Sequence, residues 1–213
     1  MNQITEADLR LVHSGNDSIL LMLDWTLALK LGTHTYDFFA DCIERGVRWS
    51  VSQLTENPKD AIDRTENDLT REIVGNLRCM GFTVEFDGTV GGHCDLVARH
   101  QTMYLWQGEA KRHKDYAWLE HGYLQLLTRY SKGDANSDRG GMLIYLQHGQ
   151  TASVMQKWKE RLTSNFTDNP APITVNDADT PPCALISEQL HLRSSRPYRV
   201  FHFPVSLQWK PEV

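Results

Sequence analysis

The hydrophobic period of this chain changes sharply at Gly81, and no other feature constrains its fold as much. Upstream, Ile62, Leu69, Ile73, Leu77 and Met80 recur at helical spacing, which predicts a helix over about residues 64–80. Gly81 stands where helices favour glycine as a stop. Downstream, residues 82–86 alternate as a strand, and Asp87-Gly88 and Gly91-Gly92 are turn signals. Further strands are predicted over 93–98 and 103–111, a helix over 116–130, a short buried strand over 142–147 and a helix over 152–162. Residues 163–182, rich in Asn, Asp, Thr and Pro, read as a long surface loop. Late strands are predicted over 184–190 and 198–209.

Before the period change the chain reads as helices over 18–30 and 35–49, broken at Asn57-Pro58. The expected fold class is α/β, a mixed central sheet flanked by helices, with residues 1–60 as an N-terminal helical extension packed on a core formed by 61–213. A chain of 213 residues with 40% hydrophobic and 23% charged residues fits one domain with an appendage. Its apolar share excludes wholesale disorder.

Four cysteines without a paired Cys-x-x-Cys point to reduced thiols. The polar N-terminus does not resemble a signal peptide, and the apolar run 19–31 contains Asp24 and is too short to span a bilayer. A soluble cytoplasmic protein is expected. The net charge of -5 disfavours a free-standing nucleic-acid binder but leaves room for a local basic groove. The sequence has no His-x-x-x-His pair, no phosphate-binding glycine loop and no Gly-x-Ser-x-Gly elbow, so a zinc protease, a nucleotide hydrolase and an α/β-hydrolase lack support.

Four residues carry the chemistry. Asp95 interrupts an apolar strand, and Glu109 and Lys111 flank Ala110 on the next. Residues two apart on a strand share a face, so this carboxylate and ammonium lie side by side, and a hairpin brings Asp95 to both. Converging carboxylates make a hard oxygen site of the kind that takes Mg²⁺ or Mn²⁺. A lysine beside it orients water or steadies developing charge. Glu66 falls inside the apolar arc of its helix, where an unpaired carboxylate is costly. A capping box with Asp63 as N-cap is an alternative account of Glu66, compatible with the first.

The run Gly91-Gly-His-Cys-Asp95, thirteen residues, then Glu109-Ala-Lys111, with an acidic residue on the preceding helix and a helix and strand following, resembles the PD-(D/E)XK nuclease superfamily, the restriction-endonuclease-like fold. The likeness covers roughly residues 61–162. Cys94 stands where the proline that names the motif would be. The resemblance implies Mg²⁺-dependent (or Mn²⁺-dependent) cleavage of nucleic acid, with DNA the expected substrate. It implies metal ligation by Asp95, Glu109 and the carbonyl of Ala110, with Glu66 direct or through water, and a water-activating or charge-stabilising Lys111. By analogy alone, small nucleases of this kind serve phage defence or restriction. Two other readings keep the fold: a catalytically silent nucleic-acid-binding or scaffolding subunit, and a partner-controlled effector or toxin.

On the helix after Lys111, Gln125 is a candidate for holding Lys111 or the water, or else lies on a solvated shoulder. Arg129 shares that shoulder, and Tyr130 is expected in the core. Arg112, His113 and Lys114 continue from Lys111 as the one dense basic cluster, either a phosphate contact or a solvated loop. The leucines and tryptophans of the N-terminal helices extend the core or form a surface for a homodimer or partner. Arg193, Arg196 and Arg199, interleaved with aromatic residues in the tail, read as an exposed hairpin face, with nucleic-acid contact as the alternative.

Overall fold

A computed structural model describes residues 5–101, 103–130, 132–164 and 172–209, with the side chains of Arg129 and Tyr130 outside the description. Three helices lead the chain: α1 (Glu6–Val12), α2 (Asp17–Leu31) and α3 (Tyr36–Glu56). Thr35 caps α3 by accepting from the Phe38 amide. The helix predicted over 35–49 runs on to Glu56 because Val47, Val51 and Leu54 prolong its buried stripe. After the single turn of α4 (Pro58–Ala61) comes α5 (Glu66–Cys79). Its N-cap is Thr65, whose hydroxyl accepts from the Asp68 amide at 3.2 Å. A box built on Asp63 is therefore not formed, and Glu66 is the first residue of the helix.

The sheet has seven strands: β1 (Thr83–Thr89), β2 (His93–His100), β3 (Tyr104–Arg112), β4 (Arg139–Leu146), β5 (Thr174–Ala178), β6 (Ala184–Leu190) and β7 (Pro197–Ser206). Their order is β1-β2-β3-β4-β7-β6-β5. The first three form an antiparallel meander, β4 runs parallel to both β3 and β7, and β6 and β5 return antiparallel. The chain is thus α/β with a mixed sheet flanked by helices.

Three expectations shift. Asp87-Gly88 lies within β1, and the reversal falls at Val90–Gly92, where the Val90 amide donates to the Gly92 carbonyl. The expected loop over 163–182 holds β5, an edge strand that gains its structure from pairing with β6 rather than from burial, so no apolar alternation announces it. Residues 165–171 of that expected loop lie outside the described residues. The helix predicted over 116–130 is α-helical only as α6 (Tyr116–Gln125) and continues as a π-helical turn, Leu126–Tyr130. Leu126 and Leu127 are both buried there, and the wider turn lets two adjacent leucines face the core.

The sheet is covered on both faces. On one, α3 and α5 pack Phe39, Ile43, Val47, Leu69, Ile73 and Leu77 against Trp106, Tyr145, Phe201 and Phe203. The N-terminal helices α2 and α3 belong to this cluster through Leu21, Trp25 and their neighbours. On the other face, α6 and α7 (Thr151–Thr163) pack Leu119, Tyr123 and Trp158 against Met142, Ile144 and Val200. Burial on both sides explains why β4 reads as a continuous apolar run. Among the described residues no helix is long and apolar enough to cross a membrane, and all four cysteines are free thiols.

Candidate metal and active site

Strand β3 delivers Glu109 and Lys111 to the face covered by α6, in register with Met142 and Ile144 of β4. Both are buried, with Glu109 2% and Lys111 6% exposed. The Lys111 ammonium donates to Glu109 Oε1 at 2.5 Å. Glu109 Oε2 is buried without a hydrogen-bond partner.

Asp95 comes from β2, the antiparallel neighbour. Its Oδ2 accepts from the Ala110 amide at 2.8 Å, fixing the carboxylate against the backbone between Glu109 and Lys111. Glu66 reaches the same strand end from the first turn of α5, where Oε2 accepts from the Arg112 amide at 2.5 Å. A carboxylate there also meets the positive end of the helix dipole. Glu66, Asp95, Glu109 and Lys111 are thus gathered from three elements to one end of β3.

The charges press on one another. Burial, and then the Asp95 charge, push the Glu109 carboxyl up to about 8 against the pull of Lys111. Burial also raises Asp95 and Glu66, opposed in each case by the backbone amide that the carboxylate accepts from. Burial is the first cause of all three shifts, and Glu109 keeps a buried oxygen without a donor, so a cation beside these carboxyl groups would relieve them. Among the described residues no three such side chains already surround one point. Mg²⁺ is commonly held by one or two carboxylates with the remaining positions left to water and phosphate, so the donor set fits that ion.

Two further residues shape the site without a signal in the sequence pattern. Gly122 of α6 lies against the Lys111 stem, and a Cβ there would meet Lys111 Cγ at 2.7 Å and Cε at 2.8 Å. The absent side chain lets the helix lie on the lysine. Asp87 is the second. Phe86 pairs with Leu96 and Gly88 with Cys94, leaving Asp87, at φ 53°, across from Asp95, whose pKa its charge helps to raise. Reading Asp87-Gly88 as a turn hid this position.

The other candidates scatter. Gln125 ends α6, half-buried. The Arg112 guanidinium donates to the Arg64 carbonyl at 2.5 Å, which draws it back toward the start of α5. His113 is half-buried, edge-on to Tyr116, with its pKa lowered by burial. Lys114 is exposed, its ammonium 5.2 Å from the centre of the Trp118 ring, and the Lys111 ammonium lies 5.3 Å from the same ring. Trp118, itself 37% exposed and stacked on His121, forms the outer wall beside the lysines. The Arg129 and Tyr130 side chains lie outside the described residues. In the tail, Arg193 donates to the Thr128 carbonyl, tying the β6–β7 connection to the π-helical turn.

Compared with family models, with curated proteins and with solved structures, the chain matches none.

Proposed function

We propose that the chain is a metal-dependent nuclease of the PD-(D/E)XK type, hydrolysing phosphodiester bonds in nucleic acid, with DNA the expected substrate. One observation carries this reading: Asp95 on the Ala110 amide, Glu66 on the Arg112 amide and Glu109 on the Lys111 ammonium line one end of β3, with a Glu109 oxygen buried and without a donor. The order supports it as well, since an acidic helix start, an antiparallel meander, a helix and a parallel strand follow one another as in the restriction-endonuclease-like fold.

Asp95 and Glu109 would hold Mg²⁺ or Mn²⁺ with the Ala110 carbonyl, and Glu66 would join directly or through water. The ion supplies a bound water of lowered pKa and a counter-charge for phosphate. The protein's own part is positional. Glu109 and Gly122 hold the Lys111 ammonium in place, and the Ala110 amide holds Asp95. Lys111 is the one buried cation among these carboxylates. It would orient the attacking water or steady charge on the phosphate as the phosphorus–oxygen bond breaks. Lys114 and the Trp118 face would receive the neighbouring nucleotide.

The test is a cleavage assay with Mg²⁺ and Mn²⁺ on supercoiled plasmid, linear duplex, single-stranded DNA and RNA, with Glu109→Ala and Lys111→Ala alongside. Metal-dependent cleavage lost in both variants is expected. Cleavage unchanged in either variant would refute the assignment. If nothing is cleaved, calorimetry with Mn²⁺ decides. Binding abolished by Glu109→Ala would point to a partner-controlled enzyme, and no binding would leave a silent scaffold.

A further inference from the structure

A cavity of about 700 Å³ lies on the sheet face opposite Glu109 and Lys111, between α2, α3 and strands β5 to β7. Its size is that of a small-molecule site. Three arginines enter it: Arg45 and Arg48 from α3, and Arg199 from β7. Two of them share their counter-charge with another arginine, and the third has none in direct contact. Arg45 pairs with Asp24, which also takes Arg10. Arg199 stands 3.7 Å from Glu44 Oε2, an oxygen that already accepts from Arg139 at 2.8 Å. The Arg48 guanidinium lies over the Phe201 ring at 5.3 Å and has no hydrogen bond or ion pair among the described residues. Burial disfavours its charge, as do Arg45 and Arg199, while the Glu44 and Asp41 carboxylates favour it.

A half-buried guanidinium with no anion in direct contact, sharing a cavity with two other arginines, is a site for one. Trp49, half-buried on the same wall, has no ring partner among the described residues and offers a flat apolar face. Asp17, Asp177 and Asp179 also line the cavity. Asp177 is already paired with Lys159 at 2.8 Å. Asp17 and Asp179 would repel a polyanion, which favours a small ligand with a single anionic group, and could accept from amino and hydroxyl groups. We propose that this cavity binds a nucleoside monophosphate, the phosphate on Arg48 between Arg45 and Arg199 and the base against Trp49. The site lies across the sheet from Glu109 and Lys111, and none of the four candidate active-site residues lines it, so this binding does not depend on their role.

The experiment is isothermal titration of the full chain, in buffer with EDTA, using the four common ribonucleoside 5′-monophosphates, their nucleosides and inorganic phosphate. One-site binding of at least one nucleotide is expected, weaker by about tenfold or more in Arg48→Gln. In Trp49→Leu the preference for nucleotide over phosphate should disappear, whereas Glu109→Ala should bind as the parent does. Circular dichroism melts confirm that each variant is folded, and Arg48→Lys, which keeps the charge but not the planar fork, replaces Arg48→Gln should that fail. Three results would each overturn the proposal: no nucleotide binding at millimolar concentration, binding undiminished in a folded Arg48 variant, or inorganic phosphate binding as tightly as nucleotide.

Discussion

Gly122→Ala tests whether the position of Lys111, rather than its mere presence, sets the activity proposed above. The new Cβ would lie 2.7 Å from Lys111 Cγ, 2.8 Å from Cε and 3.2 Å from Cδ. Ordinary carbon contacts need about 3.5–4.0 Å, so either the stem or α6 must retreat by about 1 Å. The stem has little freedom, because the ammonium is buried and tied to Glu109 at 2.5 Å. A shift of about 1 Å in a reacting group is worth on the order of 100-fold in rate, and that is the expected loss of metal-dependent cleavage. Stability should move less. Alanine gains up to about 1 kcal/mol over glycine within a helix, against about 1–3 kcal/mol for overpacking. The control is Gly75→Ala on α5, where a Cβ meets nothing within 4 Å. That variant should be slightly stabilised and cleave normally. Steady-state cleavage rates and urea denaturation measure both quantities. Cleavage by Gly122→Ala within about threefold of the parent would refute the claim that this contact positions Lys111.

The remaining predictions concern charge. Glu109 titrates near 8 when folded against 4.5 ordinarily, so the folded state holds the extra proton between those values. Its contribution to the stability of the metal-free protein is therefore full below about 4.5 and is lost as pH rises toward 8. Mn²⁺ must displace that proton, so its affinity should rise from pH 6 to pH 8 with proton release, read by calorimetry in buffers of different ionisation enthalpy; a flat profile would contradict the shift. His202 has the opposite sign. Burial lowers its pKa from 6.5 to about 3, so its neutral form contributes stability that falls as pH drops below about 6.5, and His202→Gln should flatten that part of the denaturation profile. Arg139→Met would leave Glu44 buried without its main counter-charge and should lower the unfolding free energy by about 3–5 kcal/mol in urea titrations, whereas a surface pair such as Arg71 with Asp68 should change it by under about 1 kcal/mol.

The legible parts of this chain were those whose signal is local. Helix α5 and the meander after it followed from one change of period, and the Glu109–Lys111 pairing from the two-residue repeat of a strand. Even Glu66 stood out, because a carboxylate inside an apolar arc must find a partner, although its partner is the Arg112 amide. The hidden parts are made by register and distant packing. Asp87 faces Asp95 only because β1 runs past the glycine that read as a turn. Gly122 matters only because α6 is laid across a strand 11 residues earlier in the chain. Strand β5 turns only Val175 and Ala178 toward the core, too few to set a pattern, and the arginine cavity joins α3 to β7 across some 150 residues.

Two glutamates make the strongest contrast within the structure. Glu44 and Glu109 are equally buried, each 2% exposed. Both Glu44 oxygens accept from Arg139, at 3.2 and 2.8 Å, and Arg139 also binds Asp41. That is how a buried carboxylate is accommodated when its role is to hold a helix to a sheet. Glu109 has a lysine on one oxygen and no donor on the other, with burial, then the neighbouring Asp95 and Glu66 carboxyls, raising its pKa. Packing alone would favour an apolar residue at that position, or a second donor. A buried carboxyl left short of positive charge beside other carboxyl groups is destabilised in isolation, and a cation there would relieve it. That asymmetry, more than the Glu-x-Lys spacing, sets Glu109 apart from a glutamate that braces the fold and supports the metal role proposed for it.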